Sequence, residues 1–288
     1  MEHEPGKLYV VATPIGNLDD MTFRALDILR RVDAIAAEDT RHCRRLLDHY
    51  GITASTRSFH EHNERVKTAA LLEQLRSGRS IALVSDAGTP LINDPGFPLI
   101  QAAHEAGITV VPIPGPCAAI AALSAAGLPT DRFAFEGFPP RTRNARRTYF
   151  ERLVEEPRTS VFYESSHRLI ACLEDLAAVF PPHRRVVIAK ELTKLHERLI
   201  STSVAQAPDL FAHQPELSKG EFVLLVAGAP PLSTEELTGE QRRTLHLLLE
   251  ECSLRTAVSL AEKITGARKK VLYRTALDWQ AASTNQEL

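Results

Sequence analysis

The chain has 288 residues, 44% of them hydrophobic, with 34 Lys and Arg against 36 Asp and Glu and a formal net charge of −2. That length predicts about two domains, and the composition is rich enough for a sizeable core. The slightly acidic balance excludes a surface coated in positive charge, so any nucleic-acid contact has to come from local basic patches.

Cys43, Cys117, Cys172 and Cys252 stand far apart and form no C-x-x-C pair. This spacing predicts neither a zinc site nor a disulfide framework and fits a reducing cytoplasm. The start, MEHEPGK, lacks a signal-peptide pattern, and no apolar run approaches the roughly 18 residues of a membrane span. A soluble cytoplasmic protein with no membrane partner is expected.

In chain order, a strand over 8–12 leads into the turn TPIGNL, and a helix follows over 21–31 with Asp19 or Asp20 as N-cap. The turn is neither G-x-G-x-x-G nor a Walker loop, so phosphate cradling has weak support. A strand over 34–37 runs into Glu38-Asp39-Thr40-Arg41. Charge straight after a buried strand is costly unless solvated or paired, so it marks a carboxyl end or a surface salt bridge. A helix over 43–50 and a short strand over 56–59 precede His60-Glu61-His62-Asn63-Glu64. Two His at i, i+2 beside acids can ligate a metal only with a third ligand, and none stands at recognisable spacing. No metal site is predicted; the segment reads as a polar loop capping a helix over 65–77.

The stretch IALVSDAGTPLINDPG, residues 81–96, is the centre of the chain's organisation. It opens as a uniformly apolar strand, as inside a parallel sheet. It then breaks at Ser85-Asp86 into a turn that small residues and Pro tolerate. Ligands of open α/β sheets bind beyond such carboxyl ends, and a carboxylate among small residues suits a cationic ligand; the alternative is an Asp that only caps a turn. A helix over 97–106, a strand over 109–113 and a Pro-Gly-Pro turn into an Ala-rich helix over 118–126 follow. That helix either lets a ligand approach its N-terminus or packs tightly on the sheet.

The second half begins near 127–131. Arg141, Arg143, Arg146 and Arg147 crowd an apparent loop beside Phe138, Tyr149 and Phe150. Such a cluster suits phosphate contact and base stacking, or is a solvated face. Strands over 160–163, 185–189 and 222–226 border compact polar motifs, with a helix over 169–180 and helical or irregular chain to about 213. After GAPP at 228–231, helices over 245–251, 256–265 and 269–282 form a helix-turn-helix-like tail carrying Lys269 and Lys270, or a small dimerising bundle.

Residues 8–18 (LYVVATPIGNL), 38–41 (EDTR), 85–96 (SDAGTPLINDPG), 114–119 (PGPCAA), 162–168 (FYESSHR), 190–193 (KELT) and 219–223 (KGEFV) resemble, in unbroken order, the ribosomal RNA small-subunit methyltransferase I family of the tetrapyrrole-methylase superfamily. The resemblance implies an α/β fold class: two α/β domains over 1–128 and 129–231, a cofactor cleft between them, and a helical tail over 232–288. It further implies S-adenosylmethionine as cofactor, a homodimer, and methylation of the ribose 2′-hydroxyl of a decoding-centre cytidine in 16S ribosomal RNA within the small subunit. The superfamily's Gly-Asp-Pro-type loop falls on Asp-Ala-Gly-Thr-Pro here, and the first loop is poorer in Gly. Cofactor contacts are carried over to Pro14, Gly16, Asp86, Ala87, Gly88, Leu91, Ile92, Cys117, Ala118, Glu164, Leu192 and Gly220. RNA contacts are expected at Arg141, Arg143, Arg146, Arg147, Lys269 and Lys270.

A sulfonium methyl is already activated, so positioning dominates, and the poorly nucleophilic ribose hydroxyl needs a base or a cation. Glu38, Glu61 and Glu164 are candidate bases; Arg41 or Lys190 can instead lower the hydroxyl's pKa or hold its phosphate. Three rivals remain: a small-molecule tetrapyrrole methylase, a non-catalytic RNA-binding protein, and a nucleotide-binding α/β enzyme.

Overall fold

The computed structural model describes residues 6–230 and 236–284, the last five by backbone alone. Five parallel strands make the first sheet: β1 (Leu8–Val11), β2 (Ala34–Ala37), β3 (Thr56–Ser58), β4 (Ile81–Val84) and β5 (Val110–Ile113), in the order β3-β2-β4-β1-β5. β2 and β4 are buried at every position, which accounts for their unbroken apolar character. Helices α1 (Phe23–Arg31), α2 (Thr40–His49), α3 (Glu64–Arg76) and α4 (Phe97–Glu105) connect these strands, and separate apolar cores lie on the sheet's two faces.

The second sheet is mixed. β6 (Phe133–Gly137) pairs in parallel with β7 (Thr159–Ser165); β10 (Glu221–Val226), β8 (Arg185–Lys190) and β9 (Arg198–Ser203) continue it antiparallel, in the order β6-β7-β10-β8-β9. Helix α5 (Ala118–Ala125) packs its Ala119, Ala122 and Leu123 on Val161, Val187, Val223 and Leu225. The Ala-rich helix thus follows the first sheet in sequence but packs on the second. Helices α6 (Arg143–Glu151), α7 (Leu169–Val179) and α8 (Ala207–His213) cover the opposite face.

Several sequence expectations are corrected. Asp19 and Asp20 sit in a 3-10 turn capped by Asn17, and the Thr22 hydroxyl caps α1 by accepting from Ala25 N at 3.2 Å. α2 starts three residues early because the Asp39 carboxylate accepts from Arg41 N at 2.8 Å. β6 and β9 were not expected; both are edge strands, and β9 (RLISTS) is largely exposed, so it lacks an apolar signature. The arginines at 143–147 lie on a helix, not in a loop.

The tail is α9 (Gly239–Glu251), α10 (Leu254–Thr265) and α11 (Lys269–Thr284) around Leu237, Leu245, Val258, Ala261 and Leu272. Thr238 and Gln241 form a capping box on α9, and Gly266 at φ +69° ends α10 left-handed. The Glu155 carboxylate accepts from Gly239 N at 2.9 Å, tying the tail to the second sheet's layer. Among the described residues no helix is long and apolar enough to cross a membrane.

Candidate active site in the cleft between the sheets

The loops after β1 and β4 are locked together. Thr13 N donates to Gly88 O at 2.9 Å, Gly88 N returns a bond to Thr13 O at 3.0 Å, and the Thr13 hydroxyl donates to Ser85 O at 3.2 Å. Thr89 Oγ1 then donates to Pro116 O at 2.9 Å, fixing the Pro-Gly-Pro turn against the central loop. Among the described residues, Leu91 and Asn93 after β4, and Glu191 and Thr193 after β8, are the non-glycine residues with positive φ. Such residues cost of order 1–3 kcal/mol each and persist where surroundings hold them, commonly at ligand clamps.

Between these loops lie two adjoining lobes. The first, about 310 Å³, is walled by Ile15, Ala87, Ala118, Phe138, Tyr163, Ala189, Leu192, Phe222 and Val223, with Glu164 bordering it and Ser165, Lys194 and Glu221 supplying the polar atoms. The second, about 330 Å³, is lined by residues 13–16 (TPIG), Leu18, His42, Arg45, Leu46, Asp86, Ala87, Lys194 and Glu221. Ile15, Ala87, Lys194 and Glu221 belong to both walls. Lys194 reaches from the second sheet's layer across the cleft: a Cβ on Gly16 would stand 2.4 Å from its Cγ. Its ammonium donates at 2.9 Å to both Glu191 Oε1 and Glu221 Oε2.

Glu164 borders the lobe at the end of β7 but turns its carboxylate into the second layer. It is 2% exposed; its Oε1 accepts from Ser165 N at 2.8 Å and faces Arg168 Nε at 3.3 Å, while Oε2 is buried without a hydrogen-bond partner among the described residues. The Glu164 side chain is fully buried beside Arg168 and Cys172, on the α7 face of the second sheet, so the carboxylate does not open on the lobe. Nearby, burial and then Cys117 push the Tyr163 hydroxyl well above its ordinary pKa, so it stays protonated; its oxygen accepts from Ala119 N at 3.3 Å.

Carboxyl groups gather at the ends of β2 and β4. Burial first, then Asp86 and Asp94, raise the Glu38 pKa above the usual carboxylate value, with Glu61 adding to it. Asp94 is likewise raised by burial and by Asp86, against the hydrogen bond from Ser85. Asp86 Oδ1 accepts from Asp39 N at 2.9 Å. Among the described residues no His, Cys, Asp and Glu group has metal-holding geometry.

A family model described as Tetrapyrrole (Corrin/Porphyrin) Methylases matches residues 7–208, and one described as RsmI C-terminal HTH domain matches 235–280. The chain is 51% identical over 279 residues to the ribosomal RNA small subunit methyltransferase I of Escherichia coli O157:H7, covering 97% of each. The Pseudomonas aeruginosa protein of the same name is also 51% identical over 279 residues, covering 96% of this chain and 99% of that one. The chain belongs to the ribosomal RNA small-subunit methyltransferase I family. The fold of that family is also that of solved tetrapyrrole methylases. The methyltransferase CobJ superposes with a TM-score of 0.58 at 21% identity, covering 79% of this chain and 97% of that one. A Thermus thermophilus uroporphyrin-III C-methyltransferase, solved as a complex with S-adenosylhomocysteine, gives 0.51 at 17% identity, covering 76% and 97%.

Of the residues expected at the cofactor, Ala87, Ala118, Glu164 and Leu192 line the first lobe, and Pro14, Gly16, Asp86 and again Ala87 the second. Leu91, Ile92, Cys117 and Gly220 line neither lobe, and Gly88 has both backbone groups committed to Thr13. Gly220 serves the fold: at φ +113° it leaves room for Glu191, whose side chain a Cβ would meet at 2.6 Å. Of the catalytic candidates, Glu38 and Glu61 meet in the carboxyl cluster. Arg41 is exposed and paired with Asp39 at 3.0 Å. Lys190 is buried and its ammonium donates to Glu216 O at 2.9 Å, so it is occupied inside the second layer. Phe138, Tyr163, Lys194, Glu221, His42 and Arg45 were not expected. Tyr163 and Glu221 stand inside quoted motifs, but Lys194 and α2 carry no local pattern announcing a cleft.

The Arg cluster needs the largest correction. Arg146 is 4% exposed; it donates to Asp175 Oδ2 at 2.9 Å and to the carbonyls of Arg141 and Ala171. Arg143 and Arg147 approach Asp175 Oδ1 at 3.2 and 2.7 Å. Asp175 is fully buried, and these bonds hold its pKa below the ordinary value although burial alone would raise it. Arg146 is thus a structural counter-ion and not a phosphate ligand. Arg141 and Arg143 remain exposed, Arg147 half-buried, and Lys269 and Lys270 exposed.

Proposed function

We propose that this chain transfers a methyl group from S-adenosylmethionine to small-subunit ribosomal RNA, at the 2′-hydroxyl of a decoding-centre cytidine, as a cytoplasmic homodimer. The observation that carries the reading is the mainly apolar lobe of about 310 Å³ between the loops after β1 and β4 and the second sheet, within a chain of this family. The lobe fits the cofactor: its apolar walls suit a nucleoside, and Ser165 and Glu221 stand in its wall as polar partners. Ala87, Ala118 and Leu192 would hold it. Bound S-adenosylmethionine supplies an activated methyl on a cationic sulfur.

The chain's own residues do the rest. Ile15, Phe138, Phe222 and Val223 exclude water from the first lobe. Glu38, whose raised pKa makes it a better proton acceptor than an ordinary carboxylate, takes the hydroxyl proton, with Glu61 beside it. Arg141 just before α6, Arg143 and Arg147 on α6, and Lys269 and Lys270 on the tail attract phosphates. Domains over 1–128, 129–231 and 232–288 are part of the proposal; the separate cores of the two sheets and of the tail support them, although α5 packs on the second sheet.

Binding of radiolabelled S-adenosylmethionine, then transfer to purified small subunits and to a porphyrinoid, tests this reading. We expect label on ribosomal RNA and none on the porphyrinoid. Label on the porphyrinoid alone would make this a small-molecule enzyme, and no cofactor binding a non-catalytic RNA-binding protein.

A further inference from the structure

Resting on that reading, we infer that the second lobe is the nucleotide subsite, and that Arg45 and His42 on α2 hold the phosphates of the RNA strand on either side of an extruded target. The two side chains stand three apart on one helical face and both line the lobe. Both are exposed, and neither has a hydrogen bond or ion pair with any described residue, unlike Arg41, which Asp39 engages, and Arg146, which Asp175 engages. Helix α2 carries Arg41, Arg44 and Arg45 against the single acid Asp48 in a chain that is slightly acidic overall. With Arg41 already held by Asp39, Arg44 and Arg45 leave a local excess of positive charge at the mouth of a cavity, as a phosphate chain requires.

The lobe is also polarised. Asp86 stands in its wall, with Glu38 close enough to feel its charge. An entering nucleotide meets repulsion between phosphate and these carboxyl groups and attraction between phosphate and Arg45, so its sugar and base go inward and its phosphates stay toward α2. An exocyclic amine, as on cytosine, is a donor that a carboxylate such as Asp86 accepts. Lys194 and Ile15, shared by both walls, set the border across which the two reactants face each other. An enzyme acting on one nucleotide of a structured RNA needs such a recess, because the reacting group is otherwise held in the stack. About 330 Å³ is within the range of small-ligand pockets.

The test uses the full-length protein, purified small subunits and labelled S-adenosylmethionine, with Arg45→Ala, His42→Ala/Arg45→Ala, Arg45→Lys and the control Arg76→Ala, an exposed arginine on α3. The double variant is expected to raise KM for subunits about tenfold or more. It should flatten the log–log salt dependence of RNA binding by roughly 0.7–0.9 per lost contact. Cofactor affinity should be unchanged by calorimetry. Arg45→Lys should restore part of the loss, and Arg76→Ala should match wild type. If wild type methylates subunits and the double variant keeps its KM and salt slope, the subsite is refuted while the function stands. If wild type binds subunit RNA with an Arg45-dependent slope but methylates nothing, the function is refuted and the subsite stands. If wild type neither binds nor methylates, both fall.

Discussion

Glu38 stands half-buried where three other carboxyl groups, Asp86, Asp94 and Glu61, raise its pKa in addition to burial. A proton acceptor works only when ionised, so methyl transfer should fall as pH drops through a value above the ordinary carboxylate range. Glu38→Gln should lower kcat by about 10²–10⁴ and abolish that acid limb. The variant should fold at least as well near neutral pH, because a carboxyl with a raised folded pKa loses stability as pH rises and it ionises. Retention of wild-type kcat with an unchanged acid limb would remove Glu38 from the chemistry. EDTR marked this residue as a strand-end charge, and that much was legible. That Arg146 would be a counter-ion was not, because Asp175 lies 29 positions away on α7 in a run that reads only as apolar helix.

At the scale of elements, the loops after β1 and β4 act as one unit, since Thr13 and Gly88 exchange backbone bonds. Gly88 sits at φ +83°, where other residues are strained, and an added Cβ would meet Ile15 Cγ2 at 3.3 Å. Ile15 lines both lobes. Gly88→Val should therefore weaken cofactor binding through Ile15 while the buried β1 and β4 still fold. Calorimetry giving wild-type cofactor affinity, with an unchanged circular dichroism spectrum, would separate this loop pair from the site. The turn's need for small residues was readable in AGTP, but its partner Thr13 was not. A bridge across about seventy-five residues has no local signature. The same reason hid β6 and β9: edge strands are specified by what they pair with more than by their own alternation.

For the whole molecule, the surface supports the proposed homodimer. Phe23 is 89% exposed and Leu195 93% exposed, so both large apolar side chains stand almost wholly in water. They come from different layers. Phe23 opens α1 just after the loop holding Leu18, and Leu195 follows Lys194, so both adjoin segments lining the second lobe. Burying each against a second copy would contribute about 1.5–3 kcal/mol per side chain, and twofold symmetry counts every contact twice. Sedimentation at micromolar concentration should give about twice the 31.8 kDa of one chain. Leu195→Glu, placing charge in that contact, should shift the population toward single chains without disturbing either sheet, since the side chain touches neither core. A single 31.8 kDa species for the wild type would leave these residues as an exposed apolar surface and remove the dimer from the proposal. A dimer unaffected by Leu195→Glu and Phe23→Glu would keep the dimer but move its interface to another face, with Val66 at 81% exposure the next position to charge.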